Sequence, residues 1–61
     1  ENFIEYLTNV RIQEAKHLLQ NRKLSIKEVC VDAGYSDPNY FSRIFKKYVG
    51  VTPSEYREKL Q

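Results

Sequence analysis

A chain of 61 residues makes one small domain, which buries only about 60% of the surface its unfolded form exposes and is too short to enclose a large pocket, so a complete enzyme site is not expected. Hydrophobic residues are 41% and charged residues 30% of the sequence, an ordinary globular balance, and no apolar run is long enough to span a membrane. The net charge of +2 is weak evidence for a nucleic-acid partner, but its distribution is not: Pro38 to Lys47 holds Arg43, Lys46 and Lys47 with no acid, while the acids stand at Glu1, Glu5, Glu14, Glu28, Asp32, Glu55 and Glu58, with Asp37 at the edge.

The first helix is predicted from about Phe3 to Gln20. Asn2 is placed to cap it, and Glu5 three residues on completes a variant of the capping box. Ile4, Leu7, Ala15 and Leu18 are read as one stripe, widened by Phe3, Val10, Ile12 and Leu19. Arg11 interrupts that stripe; its stem is expected to pack while its head reaches water or a carboxylate. The polar run Gln20-Asn21-Arg22-Lys23 ends the helix.

A second, short helix is predicted from about Ile26 to Ala33. Ser25 and Glu28 form a full capping box, and Leu24 with Val29 can make a hydrophobic staple. Ile26, Val29, Cys30 and Ala33 fall at helical spacing on one core face, and Gly34 follows where a left-handed residue is wanted. The third helix, about Pro38 to Val49, has Asp37 as cap and Pro38 at its first position, where the missing N–H costs nothing. Phe41, Ile44, Phe45, Tyr48 and Val49 make a dense apolar face, Asn39, Tyr40, Arg43, Lys46 and Lys47 occupy the rest, and Gly50 stops the helix. The fourth, about Pro53 to Leu60, repeats the capping box with Thr52 and Glu55; Val51 and Tyr56 can form a staple, and Tyr56 and Leu60 share the face expected to close the core. No strand pattern or internal repeat is read.

Two helices joined by Gly34-Tyr35-Ser36-Asp37 have the layout of a DNA-binding helix-turn-helix. Packing of the second helix on Phe41, Ile44 and Phe45 would leave the other side of the third helix bare. Arg there can pair with guanine and Asn with adenine, and Tyr40 can meet a thymine methyl or a phosphate. Lys46 and Lys47, and the helix starts at Ser25 and Thr52, are suited to phosphate. Each residue also has a plainer reading. The cations can be a solvated face, Asn39 an ordinary first-turn residue, and Tyr40 a cover for the core edge, and the layout also occurs in helical bundles that bind no DNA. Tyr35 is read as packing over the turn. Cys30 is a small buried hydrophobe, since no basic partner stands near it and a lone cysteine offers neither a disulfide nor a zinc set. His17 is read as a surface or half-buried residue, and no second His or Cys spacing supports a metal. No catalytic residue and no cofactor are expected. The sequence starts at Glu1, contains no Met and shows no signal peptide, and is read as part of a longer protein.

Ile26-Lys27-Glu28-Val29-Cys30, Ala33-Gly34-Tyr35-Ser36-Asp37, Tyr40-Phe41-Ser42-Arg43-Ile44-Phe45-Lys46-Lys47 and Gly50-Val51-Thr52-Pro53-Ser54-Glu55-Tyr56-Arg57 together resemble the C-terminal signature of AraC/XylS-type bacterial transcription regulators. Upstream, Phe3-Ile4-Glu5-Tyr6-Leu7, Arg11, Ala15 and Leu18-Leu19 look like the helix that connects the two helix-turn-helix units of that family. The resemblance covers nearly the whole chain. It implies an all-α, homeodomain-like bundle: a linker helix at 1–21, the second helix-turn-helix at 25–49 and a C-terminal helix at 52–61. It implies binding of duplex DNA through helix 38–49 in the major groove. Pro38, Asn39, Tyr40 and Arg43 match base-facing positions, although Pro38 has no side-chain donor. Ser25, Lys27, Lys46, Lys47 and Ser54 are expected at phosphates. The parent would add a preceding helix-turn-helix and a sensing domain or receiver, and the style is similar to response regulators. RNA polymerase is a further candidate partner, no membrane is expected, and the location implied is cytoplasmic. A helical protein–protein or dimerisation module is the alternative, because loss of the preceding unit should bare apolar surface near Phe3, Ile4 or Tyr6.

Overall fold

Three capping boxes and a proline-led start divide the chain into four helices in the computed structural model, which describes residues 2–60: α1 (Phe3–Leu18), α2 (Ile26–Asp32), α3 (Pro38–Val49) and α4 (Pro53–Lys59). The expected outer limits at residues 1 and 61 lie outside the described residues. No strand occurs among the described residues, so the all-α expectation holds. Asn2, Ser25 and Thr52 each accept from the backbone N–H three residues on, and Glu5, Glu28 and Glu55 each accept from the cap's own N–H. Asp37 caps α3 by accepting from the Asn39 N–H at 3.0 Å. Helices α1, α2 and α4 end one or two residues earlier than the sequence pattern indicates, with Leu19, Ala33 and Leu60 as caps.

The turn between α2 and α3 has a defined geometry. Gly34 adopts φ +100°, its N–H donates to the Val31 carbonyl and the next N–H, from Tyr35, donates to Cys30, both at 3.0 Å. That pair of bonds is a Schellman ending, which satisfies two carbonyls that the helix leaves open. Gly50 ends α3 at φ +99°.

The core is Ile12, Ala15 and Leu19 from α1, Val29, Cys30 and Ala33 at α2, and Phe41 and Phe45 from α3. Each fully buried large side chain contributes on the order of 1.5–3 kcal/mol. Helix α1 packs on α2 and α3, and α3 packs on α4. A run of rings threads this core: Tyr35 lies 5.4 Å from Phe41, Phe41 lies 5.8 Å from Phe45, and Phe45 meets Tyr56 edge-on at 5.7 Å.

Several expectations about packing are corrected. On α1 the buried set is Ile12, Ala15 and Leu19; Phe3 and Ile4 are 71% and 67% exposed, and Val10 is also exposed. At 100° per residue, Phe3, Tyr6 and Val10 form a second apolar stripe on the side of α1 opposite the core. Arg11 flanks the buried stripe rather than interrupting it, and its head meets a ring, not a carboxylate: the guanidinium carbon lies 5.4 Å from the centroid of Tyr35. Lys16 flanks the other side and its ammonium lies 6.0 Å over Tyr56. Leu60 does not close the core and is exposed, whereas Tyr56 does pack and Pro53, the first residue of α4, is buried. Tyr48 stands at the edge of the apolar face of α3 and is exposed. His17 is exposed, as read.

Candidate nucleic-acid interface

The direction in which α3 presents its residues follows from its two buried rings. Phe41 and Phe45 are fully buried, with Ile44 and Val49 half-buried beside them. At about 100° per residue, the line through the two phenylalanines points about 180° from Arg43, and Asn39, Tyr40, Lys46 and Lys47 fall within about 60° of Arg43. All five are exposed. Asn39, Arg43 and Lys47 form one row at i, i+4 and i+8, spanning about 12 Å along the axis at 1.5 Å per residue. That length is close to the width of the B-DNA major groove, about 12 Å. Pro38 opens the helix at its first turn and is exposed too.

The electrostatics of this face are simple. Residues 38–47 carry three cations and no acid, and Asp37 is engaged as the cap. Lys46 and Lys47 sit in the last turn, where a cation also suits the helix dipole. Glu55 of α4 feels this charge: its carboxyl is held below the usual range by the Thr52 backbone N–H first, then by the Thr52 hydroxyl, with Lys46 and Lys59 adding to the same effect.

The remaining sequence-expected residues stand on other helices. Ser25 and Lys27 lie at the start of α2 and Ser54 at the start of α4, all exposed. The capping boxes already use some of the donors there. At α2 the Ser25 and Glu28 N–H groups are bonded, which leaves those of Ile26 and Lys27. At α4 the Thr52 and Glu55 N–H groups are bonded and Pro53 has none, which leaves that of Ser54. The structure thus gathers Asn39, Tyr40, Arg43, Lys46 and Lys47 on one face, and keeps Ser25, Lys27 and Ser54 on separate helix starts.

Sequence reasoning missed the tie made by Arg57 and gave the head of Arg11 the wrong partner. Arg57 Nε donates to the Leu19 carbonyl at 3.1 Å and its Nη2 donates to Asn21 at 3.3 Å, so α4 is tied to the open end of α1. Arg11, over Tyr35, secures the turn that introduces α3. Burial raises the Tyr35 hydroxyl above its ordinary range, opposed by the charge of Arg11. Cys30 is buried, as expected, and burial first, then Asp37, pushes its thiol up; its Sγ donates to the Tyr35 carbonyl at 3.5 Å. A protonated, buried thiol is a packing group. Among the described residues no cluster of His, Cys, Asp and Glu could hold a metal ion, and no helix is long and apolar enough to cross a membrane.

A family described as "Helix-turn-helix domain" matches residues 1–59. The transcriptional regulatory protein YesN of Bacillus subtilis is 46% identical over 61 residues, which span 97% of this chain and 17% of that protein. A crystal structure of a DNA-binding transcriptional dual regulator from Escherichia coli K-12 superposes with a TM-score of 0.93 at 39% identity, covering 97% of this chain and 53% of that one. The C-terminal domain of the two-component response regulator yesN from Fusobacterium nucleatum gives a TM-score of 0.89 at 40% identity, covering 93% and 55%. The chain therefore spans about half of the solved chains and a small part of its full-length relative. Fold, motifs and relatives agree: the chain belongs to the AraC/XylS-type helix-turn-helix family of DNA-binding transcription regulators.

Proposed function

We propose that this chain binds duplex DNA by laying α3 in the major groove, with Asn39, Tyr40 and Arg43 at base edges and Lys46 and Lys47 at flanking phosphates. The observation that carries the reading is the outward face of α3. It is set opposite Phe41 and Phe45, bears only positive charge, and is uncovered by the other helices. Arg43 at its centre suits paired donation to guanine, and Asn39 suits adenine. Pro38 contacts a base edge only by shape, since it has no donor. Ser25, Lys27 and Ser54 supply weaker contacts to phosphates on either side.

The surrounding organisation is part of the same reading. Helix α1 is the linker helix, residues 25–49 the second helix-turn-helix and α4 the closing helix of a larger DNA-binding domain. The stripe Phe3, Tyr6 and Val10 on α1 faces away from this core, which supports a preceding helix-turn-helix unit packed there. A sensor or receiver domain beyond it would supply the signal for transcriptional control in the cytoplasm, and RNA polymerase is a candidate partner of the parent. The same stripe supports a second reading, a protein contact or self-association through α1.

Fluorescence anisotropy with random 25-bp duplex at two salt concentrations separates the two. DNA binding predicts steep weakening by salt, and a slope reduced by about one unit for each phosphate contact removed. Arg43→Ala combined with Lys47→Ala should abolish most binding. A protein module predicts no salt-dependent anisotropy change, with concentration-dependent sedimentation instead.

A further inference from the structure

We propose that Arg11 is a positioning residue for DNA recognition: from α1 it holds the ring of Tyr35, and through that ring the side chain of Tyr40 on the outward face of α3. The inference rests on the DNA-binding reading and adds to it a residue that does not itself face the groove.

Three observations place Arg11 in this role. Its guanidinium carbon lies 5.4 Å from the Tyr35 centroid. The Tyr35 ring in turn lies 6.1 Å from Tyr40 and 5.4 Å from Phe41. Finally, the Arg11 side chain crosses Gly34 closely: a Cβ there would sit 3.1 Å from Nε and 3.5 Å from both Cδ and Cζ. The glycine of the turn therefore serves two ends, its positive φ and the passage of Arg11. These residues border a groove between α1 and the turn, lined by Leu7, Thr8, Arg11, Tyr35, Asp37 and Tyr40 among others.

The physical chain is short. Phe41 is fixed in the core and supports Tyr35 on one side. On the other side the ring would be free to swing into the groove, and a flat, permanently charged guanidinium over it removes that freedom. Tyr40, 47% exposed, leans on Tyr35, so its hydroxyl is directed by a contact that starts on α1. Tyr56, at the far end of the ring run, is braced separately by Lys16.

The test uses Arg11→Met, which keeps a long apolar stem and removes the charge, and Arg11→Lys, which keeps the charge without the flat head. Aromatic 13C–1H spectra of the free protein should show the Tyr35 and Tyr40 ring signals displaced in Arg11→Met and those of Tyr56 unmoved. On a duplex enriched from a random library against the wild-type protein, Arg11→Met should lose affinity by about three- to tenfold. Arg11→Lys should lose less, and in both variants the loss on the random pool should be smaller than the loss on the enriched duplex. On a Tyr40→Ala background, Arg11→Met should have no further effect. Unmoved Tyr40 signals would overturn the proposal, as would equal losses on both DNAs accompanied by a lower Tm. If the wild-type protein bound neither duplex, the functional reading would fail, and the ring signals would still decide the link from Arg11 to Tyr40.

Discussion

Two glycines with the same backbone angle and different surroundings give a controlled experiment on the turn. Gly34 and Gly50 have φ of +100° and +99°, so alanine at either position carries the same backbone strain, on the order of 1–2 kcal/mol. Around Gly50 nothing lies within 4 Å of an added Cβ. At Gly34 the methyl would stand 3.1 Å from Arg11 Nε, so the guanidinium must shift by a few tenths of an ångström and lose part of its seat over Tyr35. That loss adds about 0.5–1 kcal/mol. Gly50→Ala should therefore cost about 1–2 kcal/mol and Gly34→Ala about 1.5–3 kcal/mol. For a domain this small, each kcal/mol moves Tm by about 4–8 °C, so the two variants should differ by about 2–8 °C. Thermal and urea unfolding followed by circular dichroism at 222 nm measures the difference. On an Arg11→Ala background the excess cost at Gly34 should vanish. Equal destabilisation by the two alanines, or an excess that survives removal of Arg11, would refute the reasoning.

Other perturbations test separate contacts. Arg57→Met keeps the stem but removes the donors to Leu19 and Asn21, and should cost about 1–3 kcal/mol in urea unfolding, with amide exchange rising first in α4. Glu55→Gln tests the capping box at α4. The folded-state carboxyl is held below its ordinary value of 4.5, so its contribution is present above that pH and is lost as pH falls through the lowered value. The urea midpoint of the wild-type protein should exceed that of Glu55→Gln at pH 7, and the gap should close in acid. A gap that widens in acid would contradict the assignment.

Helix starts and stops were legible because their signals are local. Ser25 with Glu28, Thr52 with Glu55, and Asp37 with Pro38 act within three residues; the first two pairs appear as bonds in the structure, and Asp37 accepts from the Asn39 N–H just beyond Pro38. The inward turn of Phe41 and Phe45 was legible too, because α3 has one dense apolar face. Helix α1 was harder. It carries two apolar stripes, and periodicity cannot say which has a partner within the chain. Choosing Ile4 and Leu7 for the core made Arg11 look like an interruption, when it flanks the stripe of Ile12, Ala15 and Leu19. The partners of Arg57 were illegible for another reason: they are backbone carbonyls 36 and 38 residues away, which no side-chain pattern announces. Leu60 shares a face with Tyr56 in the pattern, but α4 ends at Lys59 and Leu60, its cap, stays exposed.

The central claim is tested most directly by titrating the 15N-labelled chain with a 25-bp duplex at low salt and mapping the amide and side-chain signals that move. The account predicts the largest changes at Asn39, Tyr40, Arg43 and Lys47, smaller ones at Lys27 and Ser54, and none along Phe3, Tyr6 and Val10, all reversed by added salt. Changes centred on the α1 stripe with α3 unmoved, or signals indifferent to the duplex, would contradict it.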